Sequence, residues 1–68
     1  MFMPEDAVSA FRKNSDGSWT CVKETMIFGY GGIINIEPGK TFKRGTINWG
    51  IDMVAFLDEN IAGKKRSD

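Results

Sequence analysis

The sequence predicts a small α+β domain in which about four antiparallel strands precede one C-terminal amphipathic helix. Turn-forming pairs, Asp16-Gly17 and Pro38-Gly39, separate segments rich in β-branched and aromatic residues. After Trp49 the apolar residues change to the three-to-four spacing of a helix. The order β-β-β-β-α fits either a small antiparallel sheet or an SH3-like, partly open barrel, with the helix packed on it.

The first hairpin is predicted to join a strand at about residues 8–14 to a partner at about 18–28. Asp-Gly between β-forming residues favours a two-residue turn, because both central positions take positive φ. If Asp16 and Gly17 form this turn, Phe11 lies opposite Val22 on one face of the hairpin.

The second half of the predicted sheet follows a glycine-rich loop. Gly29-Tyr30-Gly31-Gly32 can turn freely, and Tyr30 at its tip is expected to be exposed. The isoleucine-rich strand at 33–36 is then followed by Pro38-Gly39, whose φ preferences are those of a type II turn. A fourth strand carries Thr41 and Phe42, and a bulge at Gly39 is expected to place Phe42 beside the isoleucines.

The helix is predicted over about residues 51–62. Met53, Val54, Leu57 and Ile61 fall on one stripe, which must be buried against the sheet. Asp52 suits the position that caps the helix N-terminus. Burial of each apolar side chain contributes about 1.5–3 kcal/mol, so loss of this helix is expected to unfold the domain.

The domain is predicted to span residues 7–62, between a flexible N-terminal segment at 1–6 and a flexible basic tail at 63–68. A short N-terminal helix is the alternative to the first strand, because Pro-Glu-Asp at 4–6 suits a first helical turn. The N-terminus lacks the pattern of a signal peptide, and no apolar run reaches the roughly 20 residues of a membrane helix. A cytoplasmic location without membrane contact is therefore expected.

Composition argues against catalysis and against a bound metal or other cofactor. The 68 residues include no histidine and a single cysteine, Cys21, so a zinc site, an intrachain disulfide and a Cys–His catalytic pair are all excluded. No two carboxylates have a spacing suited to acid–base work. A chain this short buries only about 60% of its surface on folding, which makes association with a partner an effective source of stability.

Basic residues beside aromatic residues are the candidate binding groups. Lys40, Lys43 and Arg44 surround Phe42, while Trp19 and Tyr30 are further candidate contact residues. Both tryptophans, Trp19 and Trp49, are predicted to lie in or near the core because the domain has few other large side chains. The alternative is that they form an exposed aromatic patch that binds a partner.

Two functions follow from these observations. The first is a small non-enzymatic interaction module that binds a protein partner or a second copy of itself. The alternative is a small-barrel nucleic-acid-binding protein that uses the basic and aromatic residues at 40–44. Nine basic and nine acidic residues balance, so the strong basic excess typical of nucleic-acid binders is missing.

Overall fold

The computed structural model describes residues 3–62 of the chain. A 3₁₀ helix (Glu5–Ala10) is followed by strands β1 (Phe11–Lys13), β2 (Trp19–Cys21), β3 (Thr25–Gly29), β4 (Gly32–Ile36), β5 (Thr41–Phe42), β6 (Ile47–Asn48) and β7 (Ile51–Asp52). The chain then enters helix α1 (Met53–Leu57), which continues as a π-helical segment (Asp58–Ala62). None of the helices in this part of the chain is long and apolar enough to cross a membrane.

The described strands pair in three small antiparallel sheets. The order of the first is β1-β2-β5, while β3-β4 and β6-β7 are separate hairpins. The predicted α+β class, with antiparallel strands and a C-terminal helix, is confirmed, and these sheets do not close into a barrel. There are seven strands instead of about four, because residues 22–24 divide the second predicted strand into β2 and β3, and because β6 and β7 form a short hairpin that was not predicted.

The N-terminal segment is helical up to Ala10, so the predicted strand at 8–14 is confirmed only over Phe11–Lys13, and residues 5–10 follow the helical alternative. Pro4 precedes the 3₁₀ helix, and its carbonyl accepts a hydrogen bond from the Ala7 N–H at 2.9 Å. Side chains three residues apart lie above one another in a 3₁₀ helix, so Ala7 and Ala10 share the buried face. Met3 is also buried, and the structure describes neither residues 1–2 nor the predicted tail at 63–68.

The first hairpin has a register one residue different from the predicted one. Phe11 pairs with Cys21 instead of Val22, because three residues, 15–17, form the loop. Only Gly17 among them has a positive φ, of 92°, whereas a two-residue turn at Asp16-Gly17 would need two such residues. The Asp16 carboxylate instead accepts hydrogen bonds from the backbone N–H of Ser18 at 2.9 Å and from its hydroxyl at 2.6 Å.

The long partner strand predicted at 18–28 is interrupted at residues 22–24. Its first part, β2, stays in the three-stranded sheet, and its second part, β3, forms a regular hairpin with β4. This hairpin pairs five residues on each strand, from Thr25 opposite Ile36 to Gly29 opposite Gly32. Tyr30 and Gly31 form its two-residue turn.

The Pro38-Gly39 turn does not make the predicted hairpin between the third and fourth strands. Gly39 has a φ of 99°, as a type II turn requires, but the chain leaves β4 and pairs β5 with β2. The Cys21 N–H donates to the Lys40 carbonyl and the Gly39 N–H donates to the Cys21 carbonyl, both at 2.8 Å. A bulge at Gly39 is therefore not needed to bury Phe42, which lies opposite Trp19 instead.

The C-terminal helix covers the core as predicted, although it begins two residues later than residue 51. Ile51 and Asp52 form β7, and the Asp52 carboxylate then caps α1 by accepting a hydrogen bond from the Ala55 N–H at 3.3 Å. The predicted stripe is buried, together with Phe56; its members are Met53, Val54, Leu57 and Ile61. These residues share one apolar core with Trp19, Ile27, Ile36 and Phe42.

Candidate interaction surface

Two of the predicted contact residues belong to the core. Phe42 and Trp19 are only 1% and 3% exposed, and they face each other across β5 and β2. The Phe42 ring also lies 6.4 Å from that of Phe11 and 5.9 Å from that of Trp49, measured between ring centroids. Neither Phe42 nor Trp19 presents a free ring face on which a nucleic-acid base could stack.

The basic side chains predicted beside Phe42 are exposed, but acidic groups stand near two of them. The Lys40 ammonium lies 6.0 Å from the Phe42 ring centroid. Arg44 crosses the first hairpin loop, where its Cδ would stand 3.2 Å from a Cβ at Gly17. Hydrogen bonds from Ser18 and from Lys13 are the main reasons that the pKa values of Asp16 and Asp58, respectively, are lowered. The charges of Lys43 and Arg44 make smaller contributions in the same direction, so these two basic groups lie near acidic ones.

Asp58 connects the C-terminal helix to the three-stranded sheet, a role that the sequence pattern did not reveal. Its Oδ1 accepts hydrogen bonds from the Lys13 ammonium at 2.7 Å and from the Trp19 indole N–H at 2.9 Å. The Lys13 hydrogen bond is the main reason that the pKa of Asp58 lies below its ordinary value, and the Trp19 hydrogen bond lowers it further against the effect of partial burial. A buried indole N–H usually needs a hydrogen-bond acceptor. The predicted burial of Trp19 is therefore the one feature of the sequence that could have indicated an acceptor such as Asp58.

The thiol and carboxylate groups that could act in catalysis are engaged in hydrogen bonds within the fold. Cys21 is fully buried, and its thiol donates to the Lys23 carbonyl at 3.0 Å. The lowered pKa of Asp16 comes mainly from the Ser18 hydroxyl and then from the Ser18 N–H. Within residues 3–62, no three Cys, Asp or Glu side chains come together in a group that could hold a metal ion.

Large apolar side chains are exposed on the hairpins instead. Tyr30, at the β3-β4 turn, is 73% exposed, and Trp49, at the β6-β7 turn, is 45% exposed. The two turns are neighbours, since a Cβ at Gly50 would lie 3.8 Å from the Tyr30 ring. The prediction for Trp19 is confirmed, whereas Trp49 reaches the core only through its contact with Phe42.

Trp49 has a backbone conformation that is unfavourable for a bulky residue. Its φ is 54° and that of Gly50 is 74°, which are the two positive values of a type I′ turn. A groove of about 390 Å³ lies beside it, with walls that include Asn35, Pro38 and Lys40. An aromatic residue held in this conformation and left half exposed is unusual where only a turn is needed.

Strand β4 combines exposure with an open edge. In the described part of the chain its backbone pairs with β3 and with no other strand. Ile33 is 59% exposed, and Asn35 on the same face is exposed as well. Between Glu24 and Glu37 the hairpin carries no charged residue. We define the outer backbone edge and the exposed side chains of residues 32–36 as the β4 edge.

Comparison with protein-family models, with curated proteins and with solved structures finds no significant match to this chain.

Proposed function

We propose that this chain is a small non-enzymatic interaction module that associates with a second copy of itself. The observation that carries the proposal is an exposed apolar surface on the two neighbouring hairpins. The large apolar side chains that these two hairpins leave exposed are Met26, Tyr30, Ile33, Ile47 and Trp49. Grouped exposed apolar residues are typical of protein–protein contact sites, and aromatic residues are enriched at the centres of such sites.

The small size of the domain supports the same proposal. Three sheets of two or three short strands share one core, and a two-stranded hairpin such as β3-β4 is only marginally stable without further packing. Contact with a second chain would bury apolar surface that the fold leaves in water, and so would stabilise both chains.

The non-enzymatic part of the proposal is supported by the state of the candidate reactive groups. The thiol of Cys21 is enclosed, and the carboxylates of Asp16 and Asp58 are held by local donors. General acid–base chemistry needs a group that can reach a substrate and titrate near the working pH. A lowered carboxylate pKa moves Asp16 and Asp58 further from that range.

Sedimentation equilibrium from micromolar to millimolar concentration tests the proposal. We expect the weight-average mass to rise from that of one chain toward that of two as the concentration increases. A mass that stays at 7.6 kDa over the whole range would refute self-association.

The alternative proposal, nucleic-acid binding, is supported by the exposure of Lys40, Lys43 and Arg44 on one segment of the chain. Phosphate contacts from such residues weaken steeply with salt, so a labelled single-stranded oligonucleotide should bind at low salt and be released at high salt. Replacing Lys40 and Lys43 with Gln should then reduce binding and its salt dependence. Absence of binding at low salt would eliminate this alternative.

A further inference from the structure

We infer that the self-association takes place through the β4 edge, where two copies join their β3-β4 hairpins into one four-stranded antiparallel sheet. This inference rests on the proposed function and adds the surface, the strand orientation and the register. The partner is a second copy of this chain, related to the first by a two-fold axis through Ile34.

The β4 edge is the longest open backbone edge among the described strands. An edge strand has N–H and C=O groups that must find water or another strand. The other candidate edges are shorter or covered: β1 has three residues, β5, β6 and β7 have two each, and the 3₁₀ helix packs against β3. Strand β4 offers five residues in regular register with β3.

The usual means of protecting an edge are missing from β4. Proteins block exposed edges with lysine, proline or a bulge, and Gly32–Ile36 contains none of these. Three of its five residues are isoleucine, which has a high β propensity. A short, neutral and β-forming segment of this kind favours pairing with an identical segment.

The sequence of β4 complements itself when two copies run antiparallel. With the axis at Ile34, this residue faces its own copy, Ile33 faces Asn35 of the second chain, and Gly32 faces Ile36. Glu37 would then lie opposite Gly31, so the two glutamates stand at opposite ends of the joined sheet and do not repel each other. No like charges meet anywhere along this pairing, which favours a second copy as the partner.

Contact between two five-residue strands buries less than the roughly 1,200 Å² of a standard stable interface, so the complex should be weak. We expect a dissociation constant on the order of 100 μM, which would make the dimer visible in the upper part of the concentration range. The groove beside Trp49 borders this contact, because Asn35 lines the groove and also lies in the paired strand.

Complementary charges at positions 33 and 35 test this geometry. One double variant carries Ile33→Lys with Asn35→Lys, and the other carries Ile33→Glu with Asn35→Glu. In the inferred register each double variant places like charges directly opposite each other in its own dimer, whereas a mixture pairs opposite charges. We expect each variant alone to be monomeric at concentrations where the parent is dimeric, and an equimolar mixture to dimerise at low salt. About 1 M salt, which shortens the screening length to about 3 Å, should dissociate the mixture.

Ser15→Lys is the matched control, because Ser15 is exposed in the loop at 15–17, which belongs to neither of the two hairpins that carry the proposal. Its side chain is not at the β4 edge, so we expect this variant to associate like the parent. Thermal unfolding followed by circular dichroism should show cooperative transitions for all variants. If a double variant fails to fold, isotope-filtered NMR of the parent at millimolar concentration gives an independent reading, with intermolecular contacts expected between Ile33 and Asn35.

The outcomes separate this inference from the proposed function. If the parent self-associates but either double variant does so equally well, the β4 edge is wrong and the interaction-module proposal stands. Loss of association in Ser15→Lys alone would move the interface to the β1-β2 loop. A mixture of folded double variants that stays monomeric, or intermolecular NMR contacts that exclude residues 33 and 35, would overturn the register. A parent that remains monomeric overturns both proposals.

Discussion

Replacing Asp58 with Ala should destabilise the domain by about 2 kcal/mol, because this carboxylate joins the C-terminal helix to the sheet. Two contacts are lost together. The first is the 2.9 Å hydrogen bond from the Trp19 indole, and the second is the 2.7 Å ion pair with Lys13.

The two contacts contribute unequally. Trp19 is 3% exposed, so its N–H would lose its partner inside the protein, at a cost of about 1–3 kcal/mol. The side chains of Lys13 and Asp58 are each about 40% exposed and the Lys13 ammonium can return to water, so the ion pair adds only about 0–1 kcal/mol. The hydrogen bond to the indole therefore dominates the expected loss.

A conservative variant separates the two contributions. Asp58→Asn keeps an oxygen that can accept the indole hydrogen bond but removes the charge, so it should cost only about 1 kcal/mol. A loss of 1 kcal/mol lowers the melting temperature of a domain this size by roughly 4–8 °C. The expected decreases are therefore about 4–8 °C for Asp58→Asn and about 8–16 °C for Asp58→Ala, measured by thermal unfolding.

The difference between the parent and Asp58→Ala should also depend on pH. The folded-state pKa of Asp58 is lowered, mainly by Lys13, so its ionised form stabilises the fold above the unfolded-state pKa of about 3.9. This stabilisation is lost as the pH falls through the lower, folded-state pKa. We therefore expect a constant difference in stability near neutral pH that diminishes in acid below about pH 4.

Glu59→Ala is the control, since Glu59 is the next carboxylate along the chain and is exposed. It should change the stability by less than about 0.5 kcal/mol. If Asp58→Ala melts at the same temperature as Glu59→Ala, the carboxylate does not hold the helix to the sheet and the reasoning above is refuted.

Three further substitutions test other parts of the fold. Leu57→Asp buries a charge at a fully enclosed position and should abolish cooperative unfolding by heat or urea; a parent-like transition would contradict the helix packing. Gly39→Ala should lower the free energy of unfolding in urea by about 1 kcal/mol or more, because the φ of Gly39 is 99°. Gly31→Ala should cost less, because Gly31 has no positive φ and has open space around it. Equal losses would argue against the turn assignment at Gly39. Trp49→Asn should change the free energy of unfolding by no more than about 1 kcal/mol. The relief of backbone strain, since Asn readily adopts a positive φ, offsets the loss of the contact between the Trp49 and Phe42 rings. A larger loss would show that Trp49 is mainly a core residue.

Local signals in the sequence predicted the elements whose stability comes from nearby residues. The helix stripe, the Asp52 cap and the positive φ of Gly39 each depend on a few positions within one turn, and each is present. The loop at 15–17 shows the limit of such signals, because Asp-Gly fits both a two-residue turn and a three-residue loop. The Asp16 carboxylate favours the longer loop through its bonds to Ser18, and this shifts the register by one residue.

Long-range pairing decided the features that the sequence did not predict. The strand that carries Phe42 could pair either with the isoleucine-rich strand before the Pro38-Gly39 turn or with the strand that carries Trp19. Local β propensity does not distinguish between these two pairings. The candidate site at 40–44 depended on that choice, because pairing with β2 buries the Phe42 ring while its basic neighbours stay exposed. For Trp49, a turn within a short hairpin left the side chain at the surface, although its size favoured the core.

The position of β5 also explains why β4 has an open edge. A hairpin turn at Pro38-Gly39 would have paired β4 with the following strand and satisfied its outer backbone groups. The chain instead turns away, and the Cys21 backbone takes up Gly39 and Lys40, which extends the β1-β2-β5 sheet. Burying Phe42 beside Trp19 therefore adds to the core, while the outer backbone edge of β4 pairs with no other strand in the described fold. In the inferred dimer, a second copy of the neutral segment Gly32–Ile36 supplies the pairing that β5 does not.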